Sequence, residues 1–435
     1  MSGSYLEAAA SRRGTPAQIA AQIPSGSHIY SDITLAQPKE ILQALGQRAA
    51  EGKLEGITLN NILDLYPMPC YDPALAGKIR GVSWFCSAQG RKAVNSGYGD
   101  FLPGYYRDFP RIARETQSVD VLIAAVSPMD KHGYFSLSTV GSVSEAYIDK
   151  AKHIYVEVND QLPRAVNAPQ LHWSQVDGWC EASYPLPVLP KAELDEVSRT
   201  IGGLIAERIP DGATLQLGIG AIPDAVGLAL KSKKHLGLHT EMFTDSMVEL
   251  LKCGAVDNSQ KPIHRHRTVA TFAFGSQRIY DFIDDNPAFE LLPVDYVNDP
   301  AVIAQHPNFI SVNAALEVDF YGQVCAESIG NRIVSGTGGQ SDYVRGAVLS
   351  LGGKSFIAFP STAKHGTVSR IVPVLTSGAL VSTSKNDVDC IVTEYGVAEL
   401  RGKTLSQRAR ALIGIAHPKF REELTEAAKK QGILL

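Results

Sequence analysis

The feature that most constrains the fold of this chain is an internal repeat. The segment AAQIPSGSHIYSDITLAQPKEILQALG, from Ala20, resembles AERIPDGATLQLGIGAIPDAVGLAL, from Ala206, at an offset of about 186 residues. Both segments read Ile-Pro-x-Gly, continue through a short strand pattern and reach a proline, Pro38 or Pro223, where the next helix is predicted to begin. Self-similarity at a fixed spacing indicates a repeated structural unit.

Two later pairs of segments keep nearly the same spacing. DVLIAAVSPMDKHGYF resembles NFISVNAALEVDFYGQV, with Asp130 and Gly133 corresponding to Asp319 and Gly322. AKHIYVEVN and GGKSFIAFP both have the pattern of a buried strand. Chance similarity is the alternative interpretation, and three segments in register disfavour it. A duplicated pair of domains usually forms its ligand site in the groove between the halves.

Strand-like and helical patterns alternate in both halves, which is typical of a mainly parallel sheet covered by helices. We therefore predict an α/β protein of two similar domains, an N-terminal one at 1–186 and a C-terminal one at 187–435. The boundary falls in SYPLPVLPKAE, where three prolines interrupt helices and central strands. The strands predicted most clearly in the second half are 214–217, 309–312, 355–359 and 390–393.

Composition excludes several classes of protein. A length of 435 residues suits two domains, and a net charge of −4 gives no basic face for nucleic acid. The six cysteines form no CxxC, so we expect reduced thiols and no metal site. No apolar run approaches the roughly 20 residues of a membrane span, and the first residues lack the apolar core of a signal peptide. These features favour a cytoplasmic enzyme.

A glycine turn is predicted in LQLGIGAIPDAV. Gly218 and Gly220 lie between a strand end and a helix start, where a backbone without side chains can approach a ligand closely. A helix N-terminus at such a turn favours anions. Pro223 stands where the GxGxxG dinucleotide fingerprint has its third glycine, so a dinucleotide-binding oxidoreductase is only a distant alternative. A simple tight turn is the structural alternative.

The segment KHLGLHTEMFTDSMVELLKCGAV contains two glutamates with different predicted roles. Alternation through GLHTE predicts a strand with Glu241 at its carboxyl end, where open α/β sheets bind ligands. Ser246 and Glu249 have the spacing of a capping box, so Glu249 is predicted to be structural. His239 and Asp245 are near enough in sequence to orient Glu241, although a packed or surface histidine is the commoner case.

Two further stretches offer anion contacts. Gly336, Gly338 and Gly339 form a loop whose backbone amides can stabilise an oxyanion or hold a phosphate. Lys364, after a predicted buried strand, suits a phosphate or a carboxylate. A flexible loop and a solvated lysine are the alternatives. The sequence has no Gly-x-Ser-x-Gly, HExxH or Cys/His nucleophile pattern, which leaves a carboxylate as the candidate nucleophile or base.

Taken together, these stretches resemble the acetyl-CoA hydrolase/transferase family, the CoA-transferases that work through a glutamyl thioester, and most closely the 4-hydroxybutyrate and butyrate CoA-transferases. The resemblance covers nearly the whole chain, in family order. It implies two similar α/β domains, CoA as a substrate without a permanently bound cofactor or metal, and a homodimer or higher oligomer. The motifs that carry it are LGIGAIPDAV, GLHTEMFTDSMVELLKCGAVDN, NAALEVDFYGQVCAESIG, SGTGGQSDYVRGA and TEYGVAELRGKT.

The resemblance also implies site residues, most of them in the C-terminal domain. The family's nucleophilic glutamate falls on Glu241, and a positioning asparagine falls on Asn298. The implied reaction moves CoA between a short-chain acyl-CoA and a carboxylate such as acetate. An acyl-CoA hydrolase on the same scaffold and a non-catalytic CoA-sensing protein are the alternatives. The implied CoA contacts are Gly218, Ile219, Gly220, Ala221, Ile222, Leu316, Ser335, Gly339 and Lys364.

Overall fold

The computed structural model describes residues 4–190 and 193–435. Lys191 and Ala192, in the predicted boundary SYPLPVLPKAE, lie outside the described residues. The helices between residues 4 and 190 are α1 (Ser4–Ala10), α2 (Pro16–Ala21), α3 (Lys39–Ala50), α4 (Ala88–Asn95), α5 (Phe109–Thr116) and α6 (Ser144–Lys150). The strands there are β1 (His28–Ser31), β2 (Ile57–Ile62), β3 (Ile79–Phe85), β4 (Gly99–Phe101), β5 (Val121–Val126), β6 (Tyr134–Ser136), β7 (His153–Asn159), β8 (Gln170–His172) and β9 (Gly178–Ala182).

The rest of the chain, from residue 193 to 435, continues the alternation of strands and helices. Its helices are α7 (Glu196–Ala206), α8 (Ala221–Ala229), α9 (Asp245–Lys252), α10 (Gln277–Ile283), α11 (Val294–Val297), α12 (Pro300–Ile303), α13 (Gln340–Leu349), α14 (Leu405–Ile415) and α15 (Pro418–Lys430). Its first five strands are β10 (Thr214–Leu217), β11 (Gly237–Phe243), β12 (Thr268–Ala273), β13 (Phe289–Leu291) and β14 (Phe309–Ala314). They are followed by β15 (Glu317–Asp319), β16 (Val324–Cys325), β17 (Ser328–Ile329), β18 (Arg332–Ile333), β19 (Lys354–Ala358), β20 (Thr362–Ala363), β21 (Val368–Ser369), β22 (Ile371–Val372), β23 (Cys390–Thr393) and β24 (Gly396–Glu399).

The described residues group into two compact units. The first contains residues up to 189 together with 270–295, and the second contains 190–269 together with 296–435. The units are therefore not separated by a single cut, because the segment 270–295 groups with the first of them. The division at 186/187 stays a prediction.

The first unit is built on a parallel sheet of seven strands in the order β4-β3-β2-β1-β5-β7-β9. Ile29 and Leu59 from the sheet pack in one buried cluster with Ile41 and Leu45 from α3. The apolar residues of α3 recur every three to four positions, so one face of this helix covers the sheet. This arrangement is the predicted helix-covered parallel sheet.

The second unit repeats this strand order. Its parallel strands follow the order β11-β10-β14-β19-β23, which matches β2-β1-β5-β7-β9 of the first unit, and β24 lies antiparallel beside β23. The predicted strands 214–217, 309–312, 355–359 and 390–393 are present as β10, β14, β19 and β23. The predicted α/β class with mainly parallel sheets is confirmed.

The repeat extends to a single turn. The amide of Gly133 donates to the carbonyl of Asp130 at 3.1 Å, and the amide of Gly322 donates to that of Asp319 at 2.9 Å. The two glycines have nearly equal positive φ angles, 88° and 86°. Because only glycine adopts this conformation without strain, the paired Asp and Gly seen in the sequence mark the same turn in both units, as duplication predicts.

Candidate active site

Glu241 lies near the carboxyl end of β11, two residues before the strand ends at Phe243. β11 pairs in parallel with β10, with Leu238 opposite Leu215. Continuing this register by three residues places Glu241 opposite Gly218, the first residue after β10. The predicted strand is therefore confirmed, and it brings Glu241 level with the glycine turn at the sheet edge where open α/β sheets bind ligands.

Two donors from distant segments hold the Glu241 carboxylate. The Asn298 side-chain Nδ2 donates to Glu241 Oε2 at 2.7 Å, and the backbone amide of Gly339 donates to the same carboxylate. Burial raises the pKa of Glu241 to about 7, and the two hydrogen bonds act in the opposite direction. A largely desolvated carboxylate with fixed donors has the environment of a reactive group rather than that of a solvated surface glutamate.

Gly339 is required by this geometry. It forms the N-cap of α13, and a Cβ atom built on it would overlap the Glu241 carboxylate and the Asn298 amide. Its φ of −100° is available to any residue, so the constraint is space and not backbone conformation. Glycine allows the backbone amide to approach the carboxylate closely.

The glycine-rich loop before α13 is anchored by Glu327, which the sequence analysis did not single out. The backbone carbonyl of buried Glu327 accepts from the amides of Val334 and Ser335 at 2.8 and 3.2 Å. Its carboxylate accepts from the hydroxyls of Thr337 and Ser382 at 3.1 and 2.8 Å. These bonds hold the loop that contains Ser335 and Gly339. The only sequence signal was that Glu327 falls within the motif NAALEVDFYGQVCAESIG.

The predicted glycine turn follows β10. The amide of Gly218 donates to the Val312 carbonyl at 2.8 Å, which ties the turn to β14. Gly220 has φ 109° and ψ −175°, a conformation that is almost restricted to glycine, and α8 begins directly after it at Ala221. Ile219, between the glycines, is 59% exposed. The turn therefore presents backbone and one apolar side chain at the sheet edge.

The remaining predicted CoA contacts follow the next two strands. Leu316 comes after β14, and Lys364 is an exposed residue with φ 47° between β20 and β21, after β19. The guanidinium of Arg370 donates to the carbonyls of Leu316 and Thr362, at 3.3 and 3.4 Å. Arg370 thus connects the two segments that contain Leu316 and Lys364, a link that had no signal in the sequence.

The predicted capping box at Glu249 is wrong. α9 begins at Asp245 with Thr244 as its N-cap, two residues earlier than a Ser246 cap requires. The Ser246 hydroxyl instead lies 3.1 Å from Thr244 Oγ1. Glu249 accepts from Lys231 Nζ at 3.1 Å in a half-exposed ion pair. Its role is still structural, but as a surface partner rather than a cap.

The first unit has no carboxylate at the position that corresponds to Glu241. β2 and β11 occupy the same place beside β1 and β10. Thr58 of β2 and Gly237 of β11 pair with corresponding residues of β1 and β10. The fourth residue after Thr58 is Ile62, and the fourth residue after Gly237 is Glu241. Ile62 is buried. Of these two corresponding positions, only that of the second unit therefore contains a carboxylate.

Within residues 4–190 and 193–435, no group of three or more His, Cys, Asp or Glu side chains is arranged to bind a metal ion. No helix in these ranges combines the length and the apolar character needed to span a bilayer.

Known proteins show similarity over nearly the whole chain. The acetyl-CoA hydrolase/transferase N-terminal domain matches residues 11–182, and the C-terminal domain of the same family matches residues 275–428. The succinyl-CoA:cyclohexane-1-carboxylate CoA transferase of Geobacter metallireducens is 48% identical over 418 residues, which cover 96% of this chain and 95% of that protein. The 4-hydroxybutyrate coenzyme A transferase of Clostridium kluyveri is 50% identical over 342 residues, which cover 78% and 80%.

Solved structures agree with this similarity. RipA from Yersinia pestis matches with a TM-score of 0.91 at 37% sequence identity, over 98% of each chain. The chain therefore belongs to the acetyl-CoA hydrolase/transferase family. The predicted family is confirmed, and so is the predicted class of reaction, CoA transfer between an acyl-CoA and a carboxylate. Membership of this family excludes the alternative of a dinucleotide-binding oxidoreductase.

Proposed function

We propose that this chain transfers CoA between a short-chain acyl-CoA, of the 4-hydroxybutyrate or butyrate type, and a carboxylate such as acetate, with Glu241 as the nucleophile. The observation that supports this proposal most strongly is the Glu241 carboxylate with its two donors, Asn298 and Gly339. A carboxylate is a suitable nucleophile for acyl transfer when its environment desolvates and orients it. The two relatives described above are named as CoA transferases.

The reaction begins when a carboxylate oxygen of Glu241 attacks the thioester carbonyl of the acyl-CoA. The carbon–sulfur bond breaks, which gives a mixed anhydride and CoA thiolate. The thiolate then attacks the glutamyl carbonyl of the anhydride, the first carboxylic acid leaves as its anion, and Glu241 becomes a CoA thioester. A second carboxylate reverses these steps. The scheme exchanges one thioester for another, so it needs neither ATP nor a metal.

Asn298 and Gly339 have a second task in this scheme. When thiolate attacks the glutamyl carbonyl, negative charge develops on a Glu241 oxygen, and both donors already contact that carboxylate. Donors that are in place before the charge develops need no reorganisation, and each is typically worth about 10²–10³ in rate. The same contacts therefore hold the resting carboxylate and stabilise the oxyanion.

The CoA moiety is proposed to bind along the carboxyl ends of β10, β14 and β19. The backbone of residues 218–222 and the loop that contains Ser335 and Gly339 would line its thiol end, with Leu316 and Lys364 further along. Binding energy from this remote part of the substrate can stabilise the states around the anhydride. We further propose a cytoplasmic homodimer or higher oligomer that uses CoA as a substrate and holds no permanent cofactor.

The rival function on the same scaffold is acyl-CoA hydrolysis, and one assay separates the two. CoA and acyl products are followed with a butyryl-CoA donor, with and without acetate. Transfer predicts that acetyl-CoA forms and that free CoA hardly accumulates without acetate. Release of free CoA at an equal rate without acetate would identify a hydrolase. A panel of acyl donors against acetate, butyrate and 4-hydroxybutyrate then ranks the substrates.

The proposal predicts a pH dependence with a definite sign. Because burial raises the pKa of Glu241 to about 7, lowering the pH below that value protonates the nucleophile. We expect kcat/KM for the acyl-CoA to be constant above the pKa of Glu241 and to fall about tenfold per pH unit below it, so that the pH profile has a break at that pKa. Measurement across the range in buffers of constant ionic strength checks this. A break near the ordinary glutamate pKa of about 4.3 would contradict it.

The glycine turn predicts an effect on CoA binding. Gly220→Ala forces an L-residue into a conformation at φ 109° that typically costs about 1–3 kcal/mol, so the turn should shift. We expect KM for the acyl-CoA to rise about tenfold or more, with a smaller change in kcat. Gly414→Ala, in α14 with open space around it, is the matched control and should leave both constants unchanged. An unchanged KM in a folded Gly220→Ala would remove this turn from the binding site.

A further inference from the structure

His239 lies two residues before Glu241 on β11 and is completely buried. Its ring Nε2 is 2.7 Å from the backbone carbonyl of Val297. A carbonyl oxygen only accepts hydrogen bonds, so Nε2 must carry the proton. Burial lowers the pKa of His239 well below its usual range, which leaves a neutral ring with a bare Nδ1 that has no hydrogen-bond partner among the described residues.

The surroundings of His239 contain no carboxylate partner in the part of the chain that the structure describes. The rings of His306 and Phe309 pack against it, with centroids 5.1 and 6.3 Å away. His306, Lys261 and His264 are the neighbouring cationic or titratable groups, and each disfavours a proton on His239. The ring is therefore a fixed neutral donor, and it is not placed to transfer protons to substrate.

The carbonyl that His239 holds belongs to the peptide bond that leads into Asn298. Asn298 in turn donates to Glu241 at 2.7 Å. Residues 239 and 241 point to the same face of β11, since strand side chains alternate. The strand β11 therefore makes two hydrogen bonds to the same turn, one from His239 to the backbone carbonyl of Val297 and one from the side chain of Asn298 to Glu241.

A second donor converges on that carbonyl. The hydroxyl of Tyr343, in α13, lies 3.4 Å from the Val297 oxygen. The same helix is capped by Gly339, whose amide donates to Glu241, and the Tyr343 amide donates to the Gly339 carbonyl at 3.0 Å. Hydrogen bonds to the Val297 carbonyl therefore connect β11 and the start of α13 to the turn before α12.

We infer that His239 is a positioning residue for the reaction, which holds the Val297–Asn298 turn so that the Asn298 amide stays aimed at the Glu241 carboxylate. The inference rests on the proposed function, because its effect is exerted through the nucleophile. This role differs from that of a histidine that only fills the core, because filling the core requires the volume of the ring but not its hydrogen bond. A misplacement of about 1 Å near a reacting group can cost on the order of 10² in rate.

The test compares variants that keep or remove the donor. His239→Phe keeps an aromatic ring without the hydrogen bond, and His239→Gln places an amide donor at the reach of Nε2. We expect His239→Phe to lower kcat about 10- to 100-fold with KM for the acyl-CoA within about threefold of wild type. His239→Gln should restore most of that loss. Equal rates for wild type and His239→Phe would overturn the inference, as would a loss in both variants that follows their melting temperatures.

A double-mutant cycle with Asn298→Ala separates positioning from packing. If His239 acts through Asn298, His239→Phe should have little further effect once Asn298 is removed. Full additivity of the two losses would contradict the inference. If His239→Phe fails to fold, the rates of His239→Gln and of the shorter His239→Asn are compared instead. We expect kcat of His239→Asn to be about tenfold lower than that of His239→Gln. Equal rates for these two variants would overturn the inference.

The same variants keep this inference separable from the proposed function. The rate at which a CoA adduct forms on the protein in a single turnover is measured for wild type and His239→Phe. A slower adduct in the variant supports positioning. An adduct that forms at the same rate in both removes the role of His239 and leaves the nucleophile standing. Turnover by the wild type without any adduct would remove the proposed function itself.

Discussion

Glu241→Gln is expected to abolish CoA transfer, with kcat lower by about 10⁴-fold or more, as is typical when a covalent nucleophile is removed. Glutamine has nearly the same shape, and its carbonyl oxygen can accept from Asn298 and Gly339 as the carboxylate does. Its amide cannot attack the thioester. The loss should therefore be chemical and not structural, and steady-state assays together with melting temperatures would show whether this is so.

Glu249→Gln is the matched control for this substitution. Glu249 lies on α9, eight positions further along the chain, and its half-exposed side chain pairs with Lys231. Exposed pairs of this kind contribute about 0–1 kcal/mol to stability, so transfer activity should change less than about twofold. Activity of Glu241→Gln within tenfold of wild type, with Glu249→Gln normal, would exclude Glu241 as the nucleophile.

Gly339→Ala is expected to have the second largest effect, a fall in kcat on the order of 10³. The added methyl group would overlap the Glu241 carboxylate and the Asn298 amide, so the substitution disturbs the nucleophile and both of its donors together. Asn298→Ala removes one donor only and should lose less, about 10²-fold. Steady-state kinetics of the two variants at saturating acyl-CoA would establish the order.

Gly203→Ala provides the control for a glycine replacement. Gly203 lies in α7 with open space around its Cα, so an added methyl group meets nothing and should favour the helix by up to about 1 kcal/mol. Activity should stay at the wild-type level. A Gly339→Ala variant with wild-type kcat would mean that the carboxylate does not occupy the position seen in this structure during the reaction.

The strands and the class of fold could be predicted from the sequence because their signals are local. The strand β14 begins with four buried residues, three of them apolar, and the turn at Gly322 contains its own Asp and Gly. The repeat strengthened both, since each segment had a second copy for comparison. Glu241 at a strand end followed from the alternation around it.

The partners of Glu241 could not be predicted in this way. Asn298 is 57 positions from Glu241, and no periodic pattern records a hydrogen bond between segments so far apart. The resemblance to the family supplied Asn298 and Gly339, while Glu327, Arg370 and the bond from His239 to Val297 emerged only from the folded chain. Tertiary hydrogen bonds depend on which segments the sheet brings together, and a single sequence does not contain that information in local form.

The wrong prediction for Glu249 has a related cause. The spacing of Ser246 and Glu249 suits a capping box, but Thr244 is the residue that occupies the cap, and Lys231 is available to Glu249 across the structure. Local motifs describe what a segment can form alone, and a distant partner decides between the possibilities.

Covalent catalysis by Glu241 is tested by the intact mass of the protein after incubation with butyryl-CoA in the absence of an acceptor acid. We expect a covalent CoA adduct on the peptide that contains Glu241, which acetate removes as acetyl-CoA forms and which Glu241→Gln never acquires. Full turnover by wild-type protein without any adduct, or an adduct on a different residue, would contradict covalent catalysis by Glu241.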